Sequence, residues 1–382
     1  MTLFYYSLIA TIGWVSIIIY LLINGKKISY LKLQPLAETE PAVAIIIAVR
    51  NEEADLEKAL QSVCNLHYAN YRIIVLNDRS TDGTAAILAG FTGRYPQLTV
   101  THITTLPDGW LGKNHALYQG YLNSTEEWML FTDADVAFHP DSLSKAAAYV
   151  TKNRLDHLCI LPEVISRSEM LNGMLGTFTL LFMLQFRPWA AINPKSKASI
   201  GIGAFNLIRR EAYEKAGTHQ RIKLRPDDDL KLGDLIKAAG LRQEVLAGRG
   251  YIGLEWYRNV GEFVNGLMKN SFAVADYSVL KTIGGIIAIL ALIALPVPLM
   301  LILGTPAERI MACLILFFQA IFMASPVLPN KWWHAVMIPF AGLLLAYISA
   351  RSAFITLKQG GIYWRDSFYS LDMLKGKTGK AI

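Results

Sequence analysis

Two aspartates separated by one alanine, Asp133-Ala134-Asp135, follow directly on the apolar run Met129-Leu130-Phe131-Thr132. Carboxylates at the end of a buried strand repel each other and lose solvation unless a cation joins them. Hard oxygen ligands in that pattern suit Mg²⁺ or Mn²⁺, held by one or two carboxylates with the remaining positions left to phosphate oxygens. A second acidic run, Asp227-Asp228-Asp229, stands after Pro226 and before Leu230, Leu232, Leu235 and Ile236. Acidic residues in a first helical turn are ordinary partners of the helix dipole, which accounts for one or two of the three. Three consecutive carboxylates repel, so one with a raised pKa is available for proton transfer. No GxxxxGK[ST] occurs, no GxGxxG follows the first apolar run, and neither HExxH nor GxSxG is present. Gly201-Ile202-Gly203 lies elsewhere and is a weak signal. A phosphate ligand would therefore be met by a cation rather than by a glycine loop. The histidines are scattered, and Cys64, Cys159 and Cys313 are far apart, which excludes a cysteine zinc site and a disulfide scaffold.

These residues need elements to hold them. Residues 42–49, AVAIIIAV, read as a strand buried on both faces. A helix is expected over 52–66, with Leu56, Ala59, Leu60 and Val63 on its apolar face. Strands follow at 71–78, 98–103 and 127–135, separated by helical stretches beginning near Thr81 and Lys113. Alternating strands and helices predict a doubly wound, mostly parallel α/β sheet with helices on both faces, in a water-soluble domain over 40–255. Ligands of such sheets bind beyond the carboxyl ends of the strands. Each strand delivers polar groups there: Arg50-Asn51-Glu52-Glu53, then Asn77 to Thr84, then LPDGWLGKNHA (106–116), then Asp133 and Asp135. Asp82-Gly83 reads as turn chemistry alone.

Composition points to a membrane. Hydrophobic residues are 53% of the 382 and charged residues 18%, with mean hydropathy +0.32. A soluble domain carries about 25% charged residues. Residues 3–23 are uncharged and long enough to span a bilayer, so 1–24 read as a retained N-terminal transmembrane anchor; no basic region precedes the run and no A-x-A site follows it. Lys26, Lys27 and Lys32 then put the 40–255 domain in the cytoplasm by the positive-inside rule. Residues 282–307, 310–328 and 335–350 give about three more membrane segments within 282–357. A basic tail, 358–382, carries Lys358, Arg365, Lys375, Lys377 and Lys380, and a re-entrant 282–307 turning at Pro296-Val297-Pro298 would keep it cytoplasmic. Residues 170–186 fit a core helix or a membrane-surface helix equally, whereas 256–281 read as an interfacial amphipathic region. The net charge of +7 suits anionic lipid. No basic stripe with interleaved aromatics supports nucleic-acid binding.

Taken in order, VRNEE, VLNDRSTDGT, GWLGKNHAL, FTDADV, GAFNLIRREAYEKAG and DDDLKLGDLIKAAG resemble the family 2 glycosyltransferases of the GT-A fold. The similarity is greatest to membrane-attached, lipid-glycosylating members: ceramide glucosyltransferase-like, carotenoid glycosyltransferase-like and hopanoid-associated enzymes. WRDSFYSLDMLK (364–375) resembles a tail found in that group. The resemblance implies that Asn51, Glu52 and Asp78 border the nucleotide base and ribose of a nucleotide-sugar donor, UDP-linked. It implies that Lys113 approaches the diphosphate or sugar. Asp135 would contact Mn²⁺ or Mg²⁺ directly, with Asp133 supporting the metal and ribose. Asp229 would be the general base, with Asp228 as the fallback. Arg258, in EWYRN (255–259), is the nearest match to the QxxRW of processive members, and the broken pattern argues against long-chain polymer synthesis.

The implied activity is inverting transfer of a sugar to a hydroxyl or carboxyl of a small lipid such as a carotenoid, sphingolipid or hopanoid-like molecule. Two rivals stand beside it. One is a polyprenyl-phosphate or short-oligosaccharide glycosyltransferase; the other is an inactive membrane component with a transferase-like domain. Oligomeric state does not follow from the residues.

Overall fold

The structure, a computed structural model, describes residues 2–164, 166–326, 328, 330–364 and 367–375. Arg365, Lys377 and Lys380 of the expected basic tail lie outside the described residues. Helix α1 (Thr2–Gly25) is followed by a 3₁₀ turn (Leu31–Leu33) and then by β1 (Val43–Val49), α2 (Leu56–Cys64), β2 (Tyr71–Asp78), α3 (Thr84–Thr92), β3 (Leu98–Ile103), α4 (Gly112–Leu122) and β4 (Trp128–Thr132). Next come β5 (Val136–Phe138), α5 (Ser142–Asn153), β6 (His157–Leu161), β7 (Glu163–Val164), α6 (Glu169–Phe186), β8 (Asn206–Arg209), α7 (Arg210–Ala216), α8 (Asp228–Ala238), β9 (Gln243–Ala247) and β10 (Ile252–Leu254). The chain continues through α9 (Val260–Val274), α10 (Val279–Ile289), α11 (Pro296–Leu303), α12 (Pro306–Met323) and α13 (Ile338–Gln359) to a hairpin of β11 (Gly361–Trp364) and β12 (Ser367–Ser370).

Two compact units result, one of residues 28–164 and 186–255, the other of 1–27, 165–185 and 256–382. The first is the α/β unit. Its seven-stranded sheet runs β3-β2-β1-β4-β8-β6-β9, parallel except for β8, which is antiparallel to both neighbours. Strand β1 is central, and its alternate residues feed two cores. Ile45 and Ile47 meet Leu56, Leu60 and Val63 of α2 and Leu143 and Val150 of α5, while Ala44 and Ile46 face the side of Leu117 of α4 and Leu232 and Ile236 of α8. Each such side chain contributes about 1.5–3 kcal/mol by leaving water.

Two expected elements end short, both at the rim. Helix α2 starts at Leu56, not at residue 52, because the amides of Glu52 and Glu53 donate to Thr84 Oγ1 and Asp82 Oδ2 rather than entering a helix. Strand β4 stops at Thr132, so Asp133 and Asp135 stand beyond the ladder.

The apolar unit holds helices long and apolar enough to cross a membrane: Thr2–Gly25, Pro306–Met323 and Trp332–Gln359. A further pair, Val279–Ala294 and Pro296–Leu303, bends by 47° at the proline pair, giving up to four spans if the pair is one. A π-helical turn at Leu290–Ala294 and Pro296 together strip two carbonyls of their helical donors. Leu295 N–H goes to Leu290 O, bypassing Ala291, and Pro296 has no N–H for Leu292 O. Helix α1 supplies the replacements: Tyr6 OH donates to Ala291 O at 2.7 Å and Trp14 Nε1–H to Leu292 O at 2.8 Å. Without water in a bilayer core, such carbonyls need an internal donor. The stretch 165–185, assigned above to the soluble domain, belongs to this apolar unit instead.

Candidate active site

The rim of the α/β unit is tied together by side chains from successive loops. Asn51 sits at φ 54°, a left-handed conformation that asparagine tolerates, and its Oδ1 accepts the Thr81 N–H at 2.8 Å. The Asn51 N–H donates to Ser80 Oγ and the Glu52 N–H to Thr84 Oγ1. Asp78, buried at the end of β2, accepts Arg79 Nε–H at 2.7 Å and Nη2–H at 2.9 Å, with Arg50 Nη1 at 3.8 Å. Its carboxylate is thus engaged by arginine. Arg50 and Arg79, which the sequence reading left without a role, bring positive charge to this end of the sheet.

Lys113, in the first turn of α4, is the centre of the second cluster. Its Nζ lies 2.8 Å from Asp133 Oδ1 and 3.5 Å from Asp228 Oδ1. A small pocket lined by Lys113, Asp133, Gly203, His219, Asp228 and Asp229 among others opens here. Burial alone would push the Lys113 ammonium down, but Asp133, Asp228 and Asp229 outweigh it and hold the group charged well above its usual range.

The three consecutive aspartates divide their tasks. Asp227 pairs bidentately with Arg225, both contacts 2.8 Å, and is structural. Asp228 is buried beside Lys113, and its pKa is pushed up to about 7 by burial, against Lys113 and reinforced by Asp229 and Asp133. Asp229 accepts the Leu230 N–H and the Gly203 N–H, each at 2.8 Å. Its pKa is raised by burial, with Lys113 opposing.

Gly203 links two of these carboxylates. Its N–H donates to Asp229 Oδ2, and its carbonyl accepts the Asp133 N–H at 3.1 Å. A Cβ at Gly203 would stand 2.6 Å from Asp133 Oδ2, and one at Gly201 would stand 1.7 Å from the Asp229 carbonyl oxygen. Both glycines are demanded by close approach. The Gly-Ile-Gly pattern, weak as a nucleotide-binding signal, marks the approach of the β8 loop to α8.

Asp135 is half-buried, and burial, then Asp133 and Glu52, push its pKa up to about 7. Lys113 opposes the shift. No group of three or more His, Cys, Asp or Glu side chains that could hold a metal occurs among the described residues. Asp133 and Asp135 are the carboxylates at the end of β4, and two carboxylates suit an ion completed by oxygens of a bound phosphate.

His219 was not singled out from the sequence. It is buried, its Nδ1 is 2.5 Å from Tyr213 OH, and burial holds its pKa down at about 3, so it lines the pocket as a neutral ring. Asn206 of β8 lines the pocket as well. Only contacts made across β4, β8 and α8 reveal these residues, and no local spacing announces them. Asn51, Glu52, Asp78, Lys113, Asp133, Asp135, Asp228 and Asp229 all belong to the α/β unit. Arg258 does not: it lies in the apolar unit just before α9, its N–H donating to Glu262 Oε2 at 2.9 Å.

Comparison with known proteins bears on this arrangement. Residues 44–217 match the family model described as Glycosyl transferase family 2. The chain is 26% identical over 231 residues to the 4,4'-diaponeurosporenoate glycosyltransferase of Staphylococcus aureus strain MRSA252, and equally so to that of strain USA300. The match spans 60% of this chain and 60% of the length of those relatives. Among solved structures, it is similar to mannosyltransferase PcManGT from Pyrobaculum calidifontis, solved in complex with GDP-Man and Mn²⁺. That likeness has a TM-score of 0.51 and 18% identity, and covers 93% of this chain and 98% of the other.

Proposed function

We propose that residues 44–217, which match the family 2 glycosyltransferase model and lie in a GT-A-like α/β fold, form the catalytic domain of a membrane-attached enzyme moving a sugar from a nucleoside diphosphate-sugar donor to a small lipid. The carotenoid named in its relatives supports a carotenoid-like acceptor. The GDP-Man of its structural neighbour supports a nucleotide-sugar donor; UDP-linked sugars are our first choice of base. Helices long and apolar enough to cross a membrane support a lipid acceptor. The observation that carries the reading is the meeting of Lys113 with Asp133 and Asp228 in a pocket that Asp229 also lines.

In this reading an acceptor oxygen attacks the anomeric carbon as the bond to the donor phosphate breaks. Asp229 receives the proton of an attacking hydroxyl. Its Oδ2 is held by the Gly203 N–H, so the carboxylate is pre-oriented. Lys113 stabilises charge developing on the leaving diphosphate, and Asp228 keeps that ammonium in position. Attack opposite the leaving group inverts the anomeric centre. Asp133 and Asp135 would hold Mn²⁺ or Mg²⁺, which neutralises diphosphate charge when bound. Asn51, Glu52 and Asp78 border the nucleoside in this scheme, and Arg258 acts as a donor-phosphate ligand only if the apolar unit delivers it there.

The test uses the full chain in lipid nanodiscs with Mn²⁺, a panel of nucleotide-sugars and total lipid of the source cells. A new sugar-adduct mass made by the wild type and not by Asp229→Asn supports the reading. Donor binding without any lipid adduct moves the acceptor to a polyprenyl phosphate or oligosaccharide. Absence of donor binding removes the enzyme reading altogether.

A further inference from the structure

The segment joining α1 to β1 is pinned to the α/β unit yet presents apolar side chains outward. Leu31 is fully buried, while Leu33 is 71% and Leu36 54% exposed. The backbone around them is not loose. Ser29 O accepts the Ala247 N–H at 2.8 Å, Lys145 Nζ donates to the carbonyls of Lys32 and Gln34, and the Ala37 N–H donates to Ser144 Oγ at 3.0 Å. The exposure of the two leucines is therefore built in. A single exposed leucine is ordinary, but these two follow three lysines in close sequence. Lys26, Lys27 and Lys32 are exposed beside them, the last with Nζ 5.5 Å from the Tyr30 ring. Of the nearby acids, Glu38 is exposed, and Glu40 is turned to the Ala69 N–H.

Helix α1 ends at Gly25, and an extended chain covers at most ~3.5 Å per residue, so Leu33, eight residues on, stays within ~28 Å of the helix end. We infer that the Leu31–Leu36 turn is a second membrane contact, with Leu33 and Leu36 inserted at the headgroup level of an anionic bilayer and Lys26, Lys27 and Lys32 on its phosphates. Apolar side chains flanked by lysines bind such interfaces by buried area plus electrostatic attraction. Its role would be to hold the sheet's amino-terminal linker at the lipid surface. The inference rests on reading α1 as a bilayer-spanning helix and makes no use of sugar transfer.

The test uses the full chain in nanodiscs, with exposed Cys313 replaced by serine and single cysteines introduced for a bimane label. Leu33→Cys and Leu36→Cys are the reporters. Ile12→Cys, exposed on α1, is the membrane control, and Leu122→Cys, 53% exposed on α4, is the surface control. With lipids carrying a shallow doxyl quencher for positions 33, 36 and 122 and a deep one for position 12, labels at 33 and 36 are expected to be quenched severalfold more than the label at 122. Lys26→Gln with Lys27→Gln and Lys32→Gln, or neutral lipid in place of phosphatidylglycerol, should reduce that quenching. Quenching at 12 but not at 33 or 36 overturns the contact and leaves the membrane reading of α1 intact. No quenching at 12 overturns both. A bimane change at 33 that tracks protein density rather than quencher assigns the leucines to a second copy of the chain and also overturns it.

Discussion

At Asp229 the identity of the base and the chemistry of the acceptor are one question. A hydroxyl acceptor must lose a proton, whereas a carboxylate acceptor attacks already deprotonated. Asp229→Asn is therefore expected to cut transfer to a hydroxyl lipid by about 10²–10⁴-fold and to spare donor binding. Transfer to a carboxylate lipid should fall far less, so the size of the loss measured by product mass reports which group is glycosylated. The proposed cation site at Asp133 and Asp135 makes a separate prediction through pH. Asp135 has its pKa pushed up to about 7 when no cation is present, by burial first and then by Asp133 and Glu52. Protons compete with the metal below that value, so Mn²⁺ affinity should rise from pH 5.5 to about 7 and then level off. A carboxyl whose folded pKa is raised contributes stability that is complete below its unfolded pKa and lost as pH rises through the folded one. The Mn²⁺-dependent rise in Tm should therefore be larger at pH 8 than at pH 5.5; equal shifts would remove Asp135 from the site. Gly203→Ala should lower kcat by about tenfold or more, because its Cβ displaces carboxylates that must stay aligned; unchanged kcat would dismiss the coupling. The aspartates were legible because charge at the end of an apolar run demands an explanation. The Gly203, Arg79 and His219 contacts were not, since each depends on which loop faces which.

Among the elements, the alternation of strands and helices was readable from periodicity, and β1, β2 and β3 fall where the residues say. The reversal of β8 was not readable: a short apolar strand carries no sign of its direction, and its antiparallel pairing with both β4 and β6 is a tertiary outcome. The bend at Pro296 was readable, because proline removes a helical donor wherever it stands. What supplies the missing donors was not, as Tyr6 and Trp14 lie at the other end of the chain. Trp14→Phe keeps an aromatic side chain but removes the indole N–H with its five-membered ring, leaving Leu292 O bare at a cost of about 1–3 kcal/mol in addition to the cavity left at a buried position. It should lower the Tm in detergent more than Trp333→Phe does. Side-specific labelling of Ser370→Cys in intact cells tests how the bent pair lies: protection from outside supports the re-entrant reading, and reaction from outside rejects it.

For the molecule as a whole, the two units read differently from sequence. The α/β unit announces itself through runs that local periodicity can classify. The apolar unit is drawn from three separate stretches, and the placement of 165–185 in it was hidden because an uncharged helix looks alike in a protein core and against lipid. Removing residues 1–25 is expected to do more than free the chain from the bilayer. It uncovers the apolar face of α12 against which α1 packs, so the truncated protein should aggregate rather than yield a soluble enzyme; a monomeric, donor-binding truncation would contradict this.

The donation from Trp14 to Leu292 O also carries a consequence for how the protein is made. Helix α1 leaves the ribosome before the whole α/β unit, and the carbonyls it serves leave after that unit. In the interval Tyr6 and Trp14 lack the carbonyls of Ala291 and Leu292 that they bond in the finished protein. The closing of the apolar unit is thus a late step in biogenesis, coupling the quality of the finished enzyme to the arrival of its carboxyl-terminal third. A chain stalled before residue 290 would hold α1 without the carbonyls of Ala291 and Leu292 even when the sheet has already folded.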